Sequence, residues 1–370
     1  SYTILMPVSL TDPSRVAHAL INIGALRENL RKVRTIAPRA KVMSVIKANA
    51  YGHGLIRVAG GLIESDAFAV ARTQEAIELR KAGFTQSIAV LQGFFDQDEL
   101  SIYGKLSLEP VVHSAWQVDL LEKRTRGYPL KVWLKVDTGM SRLGVHPVEV
   151  ESLTKRLRNC KTVNGPISMM SHLANADALD DPFTPRQISL FQSLGKGMDG
   201  ETGIANSAGV LGWKEAHAEW IRPGIILYGI SPFAGKTGQQ EGLHPVMTLR
   251  SRIISIKEIE PGTRVGYGGD WVAGRKTRLG VAAIGYGDGY PRQARSGTPV
   301  LIRGQRAPLA GRVSMDMVTI DLTDCPEAEI GDLVTLWGEG LPVELIAEYA
   351  NTIPYDLVCG ITRRVQVIEI

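Results

Sequence analysis

Between Val42 and about Gly229 the chain alternates short β-branched runs with amphipathic helical stretches, and this alternation restricts the fold more than any other feature. Eight runs stand out: Val42–Lys47, Ala67–Ala71, Ile88–Gln92, Leu108–Val112, Lys131–Val136, Ile167–His172, Gly203–Asn206 and Trp220–Arg222. Helical patterns separate most of them. Gln74–Ala82 carries Ala76, Ile77 and Leu79, Pro147–Arg158 places proline where a first turn begins, and Pro185–Leu194 is a third. Strand–helix units repeated eight times imply an α/β fold, a (β/α)8 barrel.

The texture changes after Ser231–Pro245, a linker rich in glycine, glutamine and proline. Beyond it the runs are β-like and turn-separated: Leu249–Ile259, Arg278–Ile284, Pro299–Arg303, Met317–Leu322 and Leu333–Trp337, with helical pattern confined to about Pro342–Tyr349. We therefore expect a barrel over residues 14–240 and a second, mostly β domain over 241–370, joined by the N-terminal segment 1–13. A strand within Arg15–Ile23 is the candidate for that attachment.

Composition removes several function classes. Of 370 residues, 44% are hydrophobic and 22% charged, the proportions of an ordinary globular protein. The net charge of +4 is spread without a basic stripe, so nucleic acid is not an expected partner. Cys160, Cys325 and Cys359 form no C-x-x-C pair and are odd in number, which argues against a disulfide framework or a metal site. The first residues lack a basic region followed by an apolar run, and no apolar run reaches the roughly 18 residues of a membrane span. A cytoplasmic protein is expected.

In barrel enzymes the chemistry sits at the C-terminal ends of the strands. Lys47 ends the first run, Arg142 follows the fifth, His172 ends the sixth, Asn206 and Ser207 end the seventh, and Arg222 follows the eighth. Loops after strands seven and eight often bind phosphate. Here they are Ser207-Ala208-Gly209 and Gly224-Ile225, offering a hydroxyl, backbone N–H groups and glycines that permit close approach. A phosphate-bearing ligand is expected. Lys47, flanked by apolar residues within a strand, is either a lysine snorkelling at a strand edge or an amine made nucleophilic by burial. A nucleophilic lysine beside a phosphate site suits two classes, a pyridoxal-phosphate enzyme or a Schiff-base aldolase acting on a phosphorylated sugar.

The run Ile46-Lys47-Ala48-Asn49-Ala50-Tyr51-Gly52-His53-Gly54 resembles the cofactor-attachment signature of alanine racemases. Asp137-Thr138-Gly139-Met140-Ser141-Arg142-Leu143-Gly144, Ser171-His172-Leu173-Ala174-Asn175-Ala176-Asp177, Arg222-Pro223-Gly224-Ile225, Val265-Gly266-Tyr267-Gly268 and Met315-Asp316 resemble that family too, across both domains and in order. The resemblance implies a pyridoxal 5'-phosphate enzyme interconverting L- and D-alanine, for peptidoglycan supply or alanine catabolism. It implies that Lys47 binds the cofactor covalently and is the base for the D-enantiomer. Tyr267 would be the second base, for the L-enantiomer, reaching in from the other subunit of a homodimer with shared active sites.

A tyrosine of ordinary pKa, ~10, is a poor base at neutral pH unless nearby positive charge favours the phenolate. His172 and Arg222 resemble the residues that form a network with it. By the same resemblance Arg222 meets the cofactor's ring nitrogen, and Tyr51, Asn206, Ser207, Gly224, Ile225 and Tyr355 belong to the cofactor site, most of them holding its phosphate. Arg142 serves the cofactor and the substrate carboxylate, a task suited to a guanidinium. Met315 binds the substrate carboxylate through its backbone N–H, and Tyr286 narrows substrate access. Lys135 matches a lysine often carbamylated in the family, an unmodified lysine being the alternative. Without the family motifs, Tyr267 reads as a structural aromatic in a turn and Arg222 as a surface arginine.

Ser314 is a departure, standing where many relatives carry cysteine. Asp137-Thr138-Gly139 matches the aspartic-protease tripeptide but occurs once, on the wrong fold. Gly285–Tyr290 does not match a phosphate-binding loop and reads as a turn. A racemase of broader specificity, an amino-acid decarboxylase on the same barrel, and a non-catalytic pyridoxal-phosphate-binding protein are the competing readings. The last is usually a single barrel, which the β domain argues against.

Overall fold

The structure is a computed structural model describing residues 16–124 and 126–370. The segment 1–13, expected to join the second domain, lies outside the described residues. The first strand, β1 (His18–Ile21), belongs to the β-rich unit treated below.

Eight parallel strands close into a barrel: β2 (Lys41–Val45), β3 (Ala67–Val70), β4 (Ser87–Val90), β5 (Glu109–Val112), β6 (Trp133–Lys135), β7 (Ser168–Met170), β8 (Thr202–Gly203) and β9 (Trp220–Ile221). Closure is made where Lys41 and Val42 pair with Trp220 and Ile221. All eight expected runs fall on strands. A parallel strand covered by helices on one face and barrel core on the other is apolar throughout, as in Ala67–Val70, where every residue is buried. The helices Thr73–Lys81, Val150–Asn159 and Phe183–Gly195 lie where helical periodicity places them.

The β-rich unit is built on β10 (Met247–Ile259), a 13-residue strand. Around it stand β11 (Arg264–Val265), β12 (Trp271–Val272), β13 (Thr277–Ala282), β14 (Pro299–Ile302), β15 (Gln305–Pro308), β16 (Val318–Asp321), β17 (Leu333–Trp337) and β18 (Gln366–Glu369). The main sheet runs β15-β14-β17-β10-β1-β18, and β13 joins β10 to β16. β10 pairs with β1 and β17 as far as Arg252 and with β13 from Ile253 onward, and a bulge between Ile253 and Ser255 lies at the start of that second stretch. One extra residue there bends the strand so that it can serve both sets of partners.

The compact units are Arg27–Leu227 with Pro232–Ala234, and the described residues up to Leu26 with Tyr228–Ser231 and Gly235–Ile370. The boundaries set at 14–240 and 241–370 therefore shift. β1 falls inside the first range, yet it is antiparallel to β10 and parallel to β18. Helical structure after residue 340 is also wider than expected, because Pro354–Cys359 forms a second helix with proline at its first turn. Among the described residues no helix is long and apolar enough to cross a membrane.

Candidate active site

Lys47 does not lie in a strand. β2 ends at Val45, and Lys47, half-buried, opens a turn whose next four residues have left-handed backbone: Ala48 (φ 53°), Asn49 (φ 53°), Ala50 (φ 52°) and Tyr51 (φ 52°). For residues with a Cβ this conformation costs about 1–2 kcal/mol each, so surrounding contacts must hold it. Several do. Ala50 N–H donates to Ile46 O (2.9 Å), Gly52 N–H to Ala48 O (3.1 Å) and Gly54 N–H to Asn49 O (2.9 Å). The Asn49 Oδ1 accepts from Leu55 N–H (2.8 Å), and the His53 Nδ1 donates to Tyr51 O (2.8 Å). Glu75 accepts the Ala48 N–H at 2.6 Å.

The same turn carries Tyr51 to the loops after β8 and β9. Ser207, buried, accepts from Gly224 N–H (2.9 Å) and Ile226 N–H (3.4 Å). Asn206 Oδ1 accepts from Gly209 N–H (3.0 Å), and its Nδ2 donates to Leu173 O (3.2 Å), so Asn206 braces this loop. The Tyr51 hydroxyl lies so close to Gly224 that a Cβ there would stand 2.4 Å from it. Two hydroxyls and a bare glycine backbone thus converge beside buried Ile225, a cradle matched to a phosphate. Gly224→Ala is expected to cost about 1–3 kcal/mol through overpacking. Thermal melting reads this as a lowered Tm, and an unchanged Tm would mean that Tyr51 swings aside freely.

Five basic side chains share one electrostatic neighbourhood at the barrel mouth. Arg222 is buried and donates to Gly203 O (2.7 Å), Ser171 O and Ile204 O (3.5 Å). Burial lowers its pKa only to about 10, so it remains a cation at neutral pH. Lys135, buried at the end of β6, is lowered to about 8, first by burial and then by the charges of Arg222, Arg142 and Lys47, with Asp137 opposing. His172 is held well below its ordinary range by burial and by Arg222, Lys135, Arg142 and Lys47, so its imidazole is neutral. Arg142 is exposed on the loop after β6. Asp137 shapes that loop by accepting from Gly139 N–H (2.9 Å) and Ser141 N–H (3.1 Å), which accounts for the protease-like tripeptide. At Gly144, with φ +133°, a Cβ would stand 2.5 Å from Asp137 N.

Sequence reasoning missed the polar support behind this mouth. Buried Gln187 donates to Thr138 Oγ1 (3.1 Å) and His172 O (3.0 Å) and accepts from Ala174 N–H (2.9 Å). Thr138 and Ser171 share a hydrogen bond of 2.7 Å, and Ser171 donates to Val136 O (2.8 Å). Nothing in a helical glutamine marks it for this task.

The remaining expected residues are in the β-rich unit. Tyr267, 71% exposed, caps a short turn between Gly266 (φ 73°) and Gly268 (φ 74°). Arg264 donates to Gly269 O (3.2 Å) and Gly268 O (3.4 Å), and Arg312 pairs with Asp270, which fixes the turn at both ends. Tyr286 and Met315 come together: Tyr286 N–H donates to Ser314 O (3.0 Å) and Gly287 N–H to Met315 O (2.8 Å). Arg364 braces both loops through Asp288 (3.1 Å) and Asp316 (2.7 Å). Tyr267, Tyr286 and Met315 are all exposed. Tyr355 is half-buried in the helix Pro354–Cys359.

Comparison with known proteins adds an independent line. The family described as "Alanine racemase, N-terminal domain" matches residues 21–232, and "Alanine racemase, C-terminal domain" matches residues 246–369. The chain is 48% identical over 352 residues to "Alanine racemase, biosynthetic" of Escherichia coli O6:H1, spanning 95% of this chain and 98% of that protein. The biosynthetic alanine racemase of Pseudomonas aeruginosa superposes with a TM-score of 0.93 at 42% identity, covering 96% of this chain and 99% of that one. The alanine racemase of Bartonella henselae, solved with covalently bound pyridoxal phosphate, gives a TM-score of 0.86 at 28% identity over 96% and 99%. With both of its domains matched and relatives at 48% identity over 95% of its length, this chain belongs to the alanine racemase family.

Proposed function

We propose that the protein interconverts L- and D-alanine with pyridoxal 5'-phosphate held at the barrel mouth. One observation carries this reading. Lys47 and Tyr51 share a single turn, and the Tyr51 hydroxyl lies against Gly224, which supports a lysine and a phosphate-holding loop serving one ligand. Tyr51, Ser207, Gly224 and Ile225 would hold the phosphate and Lys47 the carbonyl carbon, with Tyr355 contributing to the phosphate and Asn206 bracing the loop. When bound, the cofactor accepts the electron pair left behind as the amino acid's Cα–H bond breaks.

The protein's own residues then decide the outcome. Lys47 Nζ removes or returns the proton on one face of Cα and Tyr267 Oη does so on the other. Inversion requires this, because a single base returns the proton to the face it left. The homodimer follows in this reading, Tyr267 and Met315 being supplied by the second copy. Arg222 would face the ring nitrogen as a hydrogen-bond donor, since its guanidinium is a cation at neutral pH. That contact would limit electron withdrawal through the ring and favour proton return. Arg142 and the Met315 N–H would bind the alanine carboxylate, and Tyr286 would narrow access. Two relatives named biosynthetic favour D-alanine supply over catabolism.

The test combines absorption by lysine-bound pyridoxal phosphate, borohydride reduction with peptide mapping, and racemisation across a panel of amino acids. Label on Lys47 and a preference for alanine support the reading. Label elsewhere, or aldol cleavage without added cofactor, would overturn it.

Lys135 is proposed to be carbamylated. With its amine lowered to about 8, more of it is neutral at pH 7 than in an ordinary lysine, and the neutral amine is the form that adds carbon dioxide. Acidification below about 8 protonates that amine and opposes addition, so occupancy should rise with pH and with bicarbonate. The carbamate would place negative charge beside Arg142. Native mass spectrometry should show one added carbon dioxide. A mass without it at every bicarbonate concentration would remove the claim.

A further inference from the structure

We propose that Glu75 is a positioning residue for Lys47, locking the left-handed turn by joining the loop after β2 to the loop after β3. This rests on the reading of Lys47 as the attachment lysine. One carboxylate oxygen, Oε1, accepts the Ala48 N–H at 2.6 Å, the peptide N–H immediately after Lys47. The other, Oε2, accepts from Ala71 N–H (2.9 Å) and Arg72 N–H (3.1 Å). The bond to Arg72 is an ordinary helix-capping contact, since Glu75 is the third residue of the helix Thr73–Lys81 and reaches back to the backbone before it. The bond to Ala48 is of a different kind. It spans 27 residues and reaches the first of four consecutive left-handed residues.

The strain of that turn makes the contact consequential. Left-handed backbone at Ala48 relaxes toward the right-handed or extended region unless its N–H is held, and either move would swing the Lys47 Cα and the Tyr51 hydroxyl away from the cradle at Gly224. Glutamine at position 75 keeps the shape but offers one accepting oxygen and one NH2. Either the Ala48 side or the Ala71–Arg72 side then faces a donor instead of an acceptor, and the bridge opens.

The experiment uses the full chain as purified, comparing Glu75→Gln with Asp96→Ala. The second variant removes an equivalent cap from the next helix, where Asp96 Oδ1 accepts from Glu99 N–H (2.8 Å). Hydrogen exchange is the readout that needs no turnover. Glu75→Gln should speed exchange over residues 47–54 on the order of 10-fold, the size of a net loss of one hydrogen bond, while the rest of the helix 73–81 stays protected. Asp96→Ala should leave 47–54 unchanged.

In activity, a misplaced Lys47 should lower kcat on the order of 100-fold, with little movement in KM and a shifted pH dependence of the cofactor's absorption band. Unchanged exchange at 47–54, or equal loosening by both variants, would overturn the proposal. Borohydride labelling of the wild-type protein separates this from the parent reading: label on another lysine rejects the role of Lys47 while leaving the exchange result intact.

Discussion

Lys47→Ala is expected to leave a folded protein that lacks the absorption of lysine-bound pyridoxal phosphate and racemises alanine on the order of 10^4-fold more slowly. The effect is large because one side chain performs two tasks in the proposed mechanism, holding the cofactor and moving the Cα proton on one face. Folding should survive, since Lys47 is only half-buried and the turn that follows is held by backbone hydrogen bonds and by Glu75. Circular dichroism and thermal melting check the fold, and the visible spectrum checks attachment. Activity near the wild-type level would remove Lys47 from the mechanism altogether.

Tyr267→Phe should behave differently. The side chain is 71% exposed and its turn is fixed by Arg264 and by the Arg312–Asp270 pair, so loss of the hydroxyl should change stability by less than about 0.5 kcal/mol. Cofactor absorbance should stay, while racemisation falls by about 10^2–10^4-fold with the lost proton transfer. The two variants together test whether sites are shared between copies. If each site takes its lysine from one chain and its tyrosine from the other, a mixed dimer has one doubly altered site and one intact site. Co-refolding equal amounts should therefore restore about one quarter of wild-type activity by random pairing of a two-fold dimer. No recovery above either parent would place both bases on one chain.

The barrel was legible because burial on both faces writes parallel strands as uninterrupted apolar runs, such as Ala67–Val70 and Ile88–Val90. Part of the cation cluster was legible for a related reason: strand ends collect the site, so His172 and Arg222 stand out by position, whereas Lys135 was reached only through the family resemblance. The left-handed turn after Lys47 was not. Ala48, Ala50 and Tyr51 have no preference for positive φ, and backbone hydrogen bonds together with the contacts of Glu75, Asn49 and His53 hold the turn there. Glu75 and Gln187 act through backbone groups distant in sequence, and the spacing of side chains records no such partnership. β1 was legible both as a strand and as an attachment to the β-rich domain, since the strand expected within Arg15–Ile23 pairs with β10 and β18, but its place between those two partners was not.

The placement of β1 also orders events during synthesis. His18–Ile21 leaves the ribosome among the first described residues, but its antiparallel partner in β10 starts only at Met247 and its parallel partner, β18, is among the last made. At about 5–20 residues per second, β1 waits roughly 10–50 seconds for its first partner while the whole barrel is made. Throughout that interval an apolar strand has both edges unpaired, the condition under which nascent chains associate wrongly. Barrel closure can precede it, but the β-rich sheet is finished only when the two ends of the described chain meet. The yield of soluble protein should therefore depend on translation speed and on chaperones that shield the N-terminal strand more than on the intrinsic stability of the barrel.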